Sequence, residues 1–398
     1  MKRNILVGYA ISFLNNSWFW IGIWVLYYLK FTNYAGIGVL ESVMIVTMTF
    51  MEIPTGAVAD IFGKKLTIFM AMALSGLGSF IMGFAPNFNI LVLSIVSMTV
   101  GGALYSGTME ALIYDSLKQI KKENDYSKAI KNISSLQLVA FSIAGAIGGF
   151  LYKINPGFPF ILTGIAQLVA CLLTFLLIEP TVDSVKFSLK NYLRQTAMGF
   201  DQLFRQGKLR VDILRILSIG VFAVICWEVL NDALAIGFGF SPEQLGIFAS
   251  ILYLSTAVLS RLSDKFIKMF GGVKTNILIG TIIAISLIVS PTVGVALGGL
   301  TIFIRVVVSK IFSNITSEVI NANTKSKYRA TTISTFSMLQ NLPYVVLAFV
   351  IGTMIDKLSP QIFAFWLGIV MMVVVGFQLV KFRPAEQGHV LKDKLHVL

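Results

Sequence analysis

Long apolar runs alternate with short polar or Gly/Pro-marked turns from near the first residue almost to the end of the chain. A hydrocarbon core of roughly 30 Å takes about 20 apolar residues per helical crossing, and each run is close to that length. We therefore predict about twelve transmembrane helices. Their bounds are 5–29, 36–59, 66–84, 89–115, 132–152, 159–178, 211–236, 242–263, 274–292, 294–320, 330–354 and 361–380.

The composition supports a membrane protein over a soluble one. Of 398 residues, 56% are hydrophobic and 13% are charged, and the mean hydropathy is +0.82. One soluble core cannot bury that much apolar surface. Met1-Lys2-Arg3 precedes a long first run without a small-residue cleavage site, so we expect a retained first helix and not a signal peptide.

The basic residues predict the orientation, because Lys and Arg concentrate in cytoplasmic loops. One set of loops holds Lys64 and Lys65 and the basic residues within 118–131, 186–215, 261–274 and 325–329, whereas the other set holds only Lys30, Lys153 and Lys357. Both termini are then predicted to be cytoplasmic in a multi-pass protein of the cell membrane. The net charge of +13 follows from this topology, which favours anionic lipid headgroups over nucleic acid as partners.

A polar stretch divides the chain into two similar halves. We predict a six-helix bundle over 1–180, a cytoplasmic linker over 181–210, and a second bundle with a short cytoplasmic tail over 211–398. Leu136, Gln137 and Gly149 recur at an offset of 203 as Leu339, Gln340 and Gly352, and Asp60 and Lys64 recur at an offset of 204 as Asp264 and Lys268. Such duplication is typical of transporters that have a central site.

The loop after the second apolar run carries the most specific motif, Glu52-Ile53-Pro54-Thr55-Gly56 followed by Asp60, Gly63, Lys64 and Lys65. At these residues the chain resembles the major facilitator superfamily, whose signature loop has a Gly, an Asp four residues later, and a Gly followed by two basic residues. The resemblance implies two six-helix bundles in the major facilitator fold. It also implies that Glu52, Gly56, Asp60, Gly63, Lys64 and Lys65 form a conformational latch.

Further segments resemble a branch of that superfamily with many drug-efflux members, and they extend the resemblance over the whole chain. They are Gly38 to Ser42, Ser106 to Leu117 and Arg329 to Thr331. Two departures bear on export by proton exchange. The segment Ala144 to Gly149 lacks the proline of the efflux motif Gly-Pro-x-x-Gly-Gly, and Ser97 and Met98 stand where proton-coupled drug antiporters usually have an arginine.

Charges within the apolar runs are costly unless they face a cavity or a partner. The candidates for proton coupling or for lining a substrate cavity are Glu41, Glu110, Glu228, Asp232 and Arg305, together with the mid-span amides Asn15 and Asn16. Glu228 and Asp232 lie one helical turn apart, and neighbouring carboxyl groups in a low dielectric favour proton binding by one of them. The family's arrangement implies that they face Arg305 or Lys310, either as a proton-switched ion pair or as a structural salt bridge.

Other side chains give weaker indications. Trp18, Trp20 and Asn15 suit a cavity for a lipophilic ligand, whereas Trp24 is interpreted as an interface anchor. Cys171 and Cys226 are interpreted as core residues. His389 and His396 lie in the C-terminal tail, which leaves proton chemistry to carboxyl groups.

We expect neither an enzyme nor a bound cofactor or metal, since phosphate-loop, nucleophile and Cys/His metal motifs are missing from the sequence. The leading hypothesis is a monomeric, proton-coupled exporter of small amphipathic or cationic compounds that works by alternating access. The first alternative is a proton-coupled uptake symporter for a sugar, carboxylate or peptide, which Arg305 and Lys310 would favour if the nutrient is anionic. The second is a membrane scaffold or sensor without transport.

Overall fold

A computed structural model describes residues 1–181, 189–205, 207–259, 272–324 and 328–380. The helices of the first part are α1 (Lys2–Asn15), α2 (Trp24–Tyr28), α3 (Tyr34–Phe62), α4 (Lys64–Met82), α5 (Phe88–Tyr105), α6 (Thr108–Gln119), α7 (Tyr126–Ile154) and α8 (Phe158–Leu173). After a connecting helix α9 (Leu189–Phe204) come α10 (Gly207–Ile225), α11 (Asn231–Gly237), α12 (Pro242–Leu259), α13 (Gly272–Ile288), α14 (Val295–Asn323), α15 (Arg329–Leu358) and α16 (Pro360–Val380). Short 3₁₀ turns cover Glu123–Asp125, Thr174–Leu176 and Ser290–Thr292.

The prediction of an all-helical membrane protein is confirmed. Within the described residues, ten helical segments are long and apolar enough to cross a membrane. The first and eighth predicted spans are not among these ten, so the full count of twelve stays a prediction. Large apolar side chains such as Phe50, Phe349 and Phe377 are more than half exposed, as is expected for surfaces that contact lipid.

The prediction of one unbroken first span over 5–29 is wrong. Helix α1 ends at Asn15, and α2 begins only at Trp24. Side chains explain this break: Asn16 Nδ2 donates to the carbonyl of Ser12 at 2.7 Å, and Trp18 Nε1 donates to the carbonyl of Asn15 at 2.8 Å. Gly22 then takes a φ of +90°, which other residues adopt with strain.

Two more predicted spans are also interrupted. The span predicted over 89–115 divides into α5 and α6 at Ser106 and Gly107, where Gly107 has a φ of +74°. The span predicted over 211–236 contains a π-helical turn, Cys226–Leu230, between α10 and α11. Interruptions of this kind often mark functional sites in helices, and discontinuous helices line the binding sites of many transporters.

We call residues 1–181 the N-half and residues 207–380 the C-half. The two halves meet along α3 with α15 and along α7 with α12. We call the end of the molecule with Met1, Gly63 and Ile120 the basic end, and the end with Asn33, Asn155 and Ser359 the opposite end. The division into two bundles joined by a linker over 181–210 stays a prediction. The recurrence at Asp264 and Lys268 and both tail histidines lie outside the described residues.

Candidate functional site

A cavity of about 1060 Å³ lies between the two halves. Interrupted helices form much of its wall. The region of the α1–α2 break contributes Asn15, Asn16, Trp18, Trp20, Ile21, Gly22 and Trp24, the α5–α6 break contributes Ser106 and Gly107, and the π turn contributes Trp227 and Glu228. The cavity reaches Ile130 and Thr331, near the starts of α7 and α15. It therefore extends towards the basic end, whereas α3, α7, α12 and α15 close the opposite end.

Three buried or half-buried carboxyl groups gather where the halves meet. Glu41 of α3 is 6% exposed, and its carboxyl group lies close to that of Glu228 in the π turn. Asp232 Oδ2 accepts a hydrogen bond from Trp24 Nε1 at 3.1 Å. A proton on either carboxyl group of the Glu41 and Glu228 pair would allow a hydrogen bond between them, and that bond would link the two halves.

Aromatic side chains form the other main part of the wall. Trp18 and Trp20 stack with ring centroids 4.9 Å apart, and Trp20 stacks in turn on Phe160 at 6.2 Å. Trp24 and Tyr28 meet edge to face at 5.4 Å. The interpretation of Trp24 as an interface anchor is wrong, because its ring lines the cavity and its indole donates to Asp232.

The charge of the wall has one sign. Glu41, Glu110, Glu228 and Asp232 all line the cavity, while the lining residues that the structure describes include no Lys, Arg or His. Such a wall attracts cations and repels anions. Its aromatic faces add favourable cation–π contacts.

Arg305 lies behind this wall and does not line the cavity. It is 0% exposed. Its Nε donates to Asn231 Oδ1 at 3.0 Å, and its Nη1 donates to the carbonyl of Ser286 at 3.0 Å and to the Ser286 hydroxyl at 3.3 Å. Arg305 therefore binds neutral partners instead of the implied ion-pair partners Glu228 and Asp232. One of these neutral partners is Asn231, the residue that precedes Asp232.

The remaining cavity candidates are spread along its length. Asn15 and Asn16 line it at the α1 end, where they also shape the helix break. Glu110 is exposed in the first turn of α6, beside Tyr105 and Tyr126. Tyr253 lines the cavity near Asp232, and sequence reasoning missed it because a single tyrosine in an apolar run gives no signal.

The loop motif that the sequence predicts to be a conformational latch lies at the basic end. Gly63 has a φ of +84° between α3 and α4, and Lys64 Nζ forms an ion pair with Asp115 Oδ2 at 2.8 Å. The backbone N–H groups of Lys64 and Lys65 donate to the two carboxylate oxygens of Glu179 at 2.8 and 2.7 Å. Glu179 was not predicted. Asp60 is exposed near the end of α3, and the side chain of Glu52 and the surroundings of Gly56 lie outside what the structure describes.

The sequence profile of the Major Facilitator Superfamily matches residues 5–341, and the chain belongs to that family. It is 25% identical over 255 residues to the uncharacterized MFS-type transporter YxaM of Bacillus subtilis (strain 168), a match that covers 62% of each chain. The matched part is thus less than two thirds of that relative's length. It is also 24% identical over 290 residues to the quinolone resistance protein NorA of Staphylococcus aureus (strain MSSA476), covering 68% of this chain and 69% of NorA.

Solved structures show the same fold. A mutant form of the nucleoside transporter NupG aligns with a TM-score of 0.78 and 17% identity, over 96% of this chain and 100% of that one. A POT family transporter in complex with 5-aminolevulinic acid aligns with a TM-score of 0.74 and 14% identity, over 95% and 96%. The family assignment comes from the sequence profile, and these structures show that the chain has the fold of membrane transport proteins.

Proposed function

We propose that this transporter exports small amphipathic cations in exchange for protons. The observation that carries the proposal is the charge of the cavity, where four carboxyl groups and a set of aromatic rings line the described wall without a basic side chain. A lipophilic cation satisfies both parts of such a wall, because its charge meets carboxylates and its apolar body meets aromatic faces.

Proton coupling follows from the same carboxyl groups. The carboxyl groups of Glu41 and Glu228 lie close together, so a proton on one of them allows a hydrogen bond that links the two halves. Loss of that proton leaves two adjacent carboxylates, and the nearby Asp232 adds a third carboxyl group. A bound cation relieves this repulsion as a proton does, so proton and substrate exclude one another at the site.

The direction and the location are part of the proposal. The name of NorA, a quinolone resistance protein, supports export, and the basic loops support a cytoplasmic basic end in the cell membrane. The cavity would then be open to the cytoplasm, ready to load substrate. We propose that the protein acts as a monomer, with each half serving as one of the two rocking bundles.

The test is flux in liposomes that contain the purified protein, with an imposed pH gradient and a pH-sensitive dye inside. We expect tetraphenylphosphonium and similar cations to drive proton movement, and Glu41→Gln, Glu228→Gln and Asp232→Asn to reduce it strongly. Glu123→Gln, at an exposed carboxyl group on the basic end, is the matched control and should keep full flux. Proton movement with an anion, nucleoside or peptide instead of cations would show the uptake alternative to be correct. Cation flux that persists in all three cavity variants would reject the coupling role.

A further inference from the structure

The opposite end of the molecule is closed by two seams between the halves. In the first seam α3 packs against α15, and in the second α12 packs against α7. Glycines allow the backbones to touch in both seams: a side chain at Gly38 would meet the carbonyl of Ala348, and one at Gly246 would meet the carbonyl of Gly145. The helices could not approach this closely with larger residues.

The two seams repeat each other contact by contact. Residues of α7 correspond to residues of α15 at a constant offset of 203, and residues of α3 correspond to residues of α12 at a constant offset of 208. The contact of Gly149 with Pro242 corresponds to that of Gly352 with Tyr34, and the contact of Gly145 with Gly246 corresponds to that of Ala348 with Gly38. The Ser250 hydroxyl donates to the carbonyl of Ser142 at 2.7 Å, and the corresponding Ser42 hydroxyl donates to the carbonyl of Val345 at 3.0 Å. The first offset equals the one at which Gln137 recurs as Gln340.

At the rim of each seam, a charged side chain holds the first turn of the helix from the other half. Asp356 at the end of α15 accepts from the backbone N–H groups of Tyr34 and Ala35, both at 3.0 Å. Lys153 at the end of α7 forms an ion pair with Glu243 in the first turn of α12 at 2.7 Å. Lys153 and Asp356 are again separated by 203 residues.

We call the contact of Asp356 with α3 and the contact of Lys153 with Glu243 the two clasps. They lie at equivalent places but differ in chemistry. The Asp356 carboxylate binds the positive N-terminal end of α3, where two backbone donors would otherwise lack a partner within the helix. The Lys153 and Glu243 contact is a single ion pair in which the Lys153 side chain is 73% accessible, and exposed ion pairs contribute little. Asp356 is exposed as well, but it accepts two backbone hydrogen bonds. The Asp356 clasp should therefore hold more strongly.

From this pseudo-symmetry we infer that Asp356 and Lys153 are the paired latches of one gate, and that the two seams part together when the opposite end opens. The inference rests on the alternating-access cycle of the proposed function. It adds the residues that set how often the gate opens. It also adds the condition that weakening one seam loosens the other, because each half moves as a unit.

The test measures seam opening as the labelling rate of a buried thiol by a water-soluble maleimide. The background is a Cys171→Ala and Cys226→Ala protein, purified and placed in lipid nanodiscs without substrate or ion gradient. Ala35→Cys reports on the first seam, where Gly352 covers Ala35, and Ser250→Cys reports on the second. Both positions are less than a tenth exposed, so labelling requires the seam to part.

Asp356→Ala should raise the labelling rate about fivefold, the effect expected for loss of a capping carboxylate at a helix N-terminus. The rise should be equal at both reporters. Lys153→Ala should give a smaller rise, again at both, and the double variant should give the largest. Lys357→Ala, a charge change beside Asp356, is the matched control and should leave both rates unchanged.

A rise at Ala35→Cys alone in the Asp356→Ala protein would mean local fraying of α3 and would overturn the inference. Equal rates in the double variant and in the background protein would overturn it too. The result is separate from the proposed function, because labelling needs no substrate. A protein that fails to exchange cations for protons can still show coupled seams, and one that exchanges them can fail this test.

Discussion

The charge of Asp232 offers a direct test of what the cavity binds. Asp232→Asn removes the charge but keeps the size, and the amide oxygen can still accept from Trp24 Nε1, which lies 3.1 Å from Oδ2. The local geometry is therefore expected to survive. Any change in affinity then reports mainly on electrostatics between this carboxyl group and the ligand.

The size of the effect follows from Coulomb's law. A unit charge at about 4 Å from a carboxylate gains roughly 4 kcal/mol at an effective dielectric constant of about 20. Desolvation of both charges offsets part of this gain, and Glu228 and Glu41 still attract the cation in the variant. We expect a net loss of about 1.4 to 2.8 kcal/mol, which is about a 10-fold to 100-fold weaker affinity.

Two ligands of the same shape and opposite charge make the assay specific. Equilibrium binding of radiolabelled tetraphenylphosphonium and tetraphenylborate is measured in detergent at alkaline pH, where protons compete least. The wild-type protein should prefer the cation, and Asp232→Asn should lose cation affinity by the stated factor while tetraphenylborate binds equally well or better. Trp24→Phe keeps the charge and removes one hydrogen bond, so its loss should be about fivefold.

Two outcomes would refute this reasoning. An equal loss for both ligands would mean that the substitution damages the cavity and does not act through charge. Unchanged cation affinity together with unchanged tetraphenylborate affinity would mean that Asp232 does not face the ligand. In either case the proposal for an amphipathic cation would lose its main support.

Three further predictions concern the scaffold around the site. Lys64→Ala leaves Asp115, whose side chain is 13% exposed, without this ion-pair partner. It should cost about 2 kcal/mol of unfolding free energy, seen as a lower thermal midpoint that Asp115→Asn partly restores; an unchanged midpoint would contradict this. Gly38→Ala should force α3 and α15 apart in the first seam and lower the unfolding free energy by about 1 to 3 kcal/mol. Gly376→Ala, where nothing lies within 4 Å, is the control and should leave the thermal midpoint unchanged. Equal midpoints for the two variants would show that the seam tolerates a side chain. Arg305→Lys should lose hydrogen bonds worth about 1 to 3 kcal/mol with little change in tetraphenylphosphonium affinity; lost affinity at full stability would place Arg305 in the binding site instead.

Sequence patterns predicted those features that depend on local composition. Apolar runs identified the membrane segments because a lipid solvent demands about 20 apolar residues for each helix. The loop from Gly56 to Lys65 was found because a Gly, an Asp four residues later, and a Gly followed by two basic residues match the signature spacing of the superfamily. The candidates Glu41, Glu228 and Asp232 were found because charge is rare and costly within such runs.

Other features depended on contacts between distant parts of the chain. Tyr253 and Glu179 gave no signal, because a tyrosine in an apolar run and a glutamate at its end are ordinary residues. The prediction that Arg305 faces Glu228 or Asp232 was wrong. The sequence shows that Arg305 lies within an apolar run, but it does not show whether its side chain faces the cavity. The single first span failed because Asn16 and Trp18 bond to the backbone and compete with the helix there.

The sequence by itself therefore determined the membrane environment, the helical class, the family and which carboxyl groups lie within the apolar runs, since each of these rests on residue type at short spacing. Only the tertiary structure decided that Glu41 and Glu228 come together across the halves, that Trp24 faces the cavity and that Arg305 does not. The physical reason is that these facts depend on which helix faces meet. Which faces meet is set by close packing at glycines such as Gly38 and Gly246. Gly38 contacts Ala348, about three hundred residues away in the chain, and no local sequence pattern encodes such a contact.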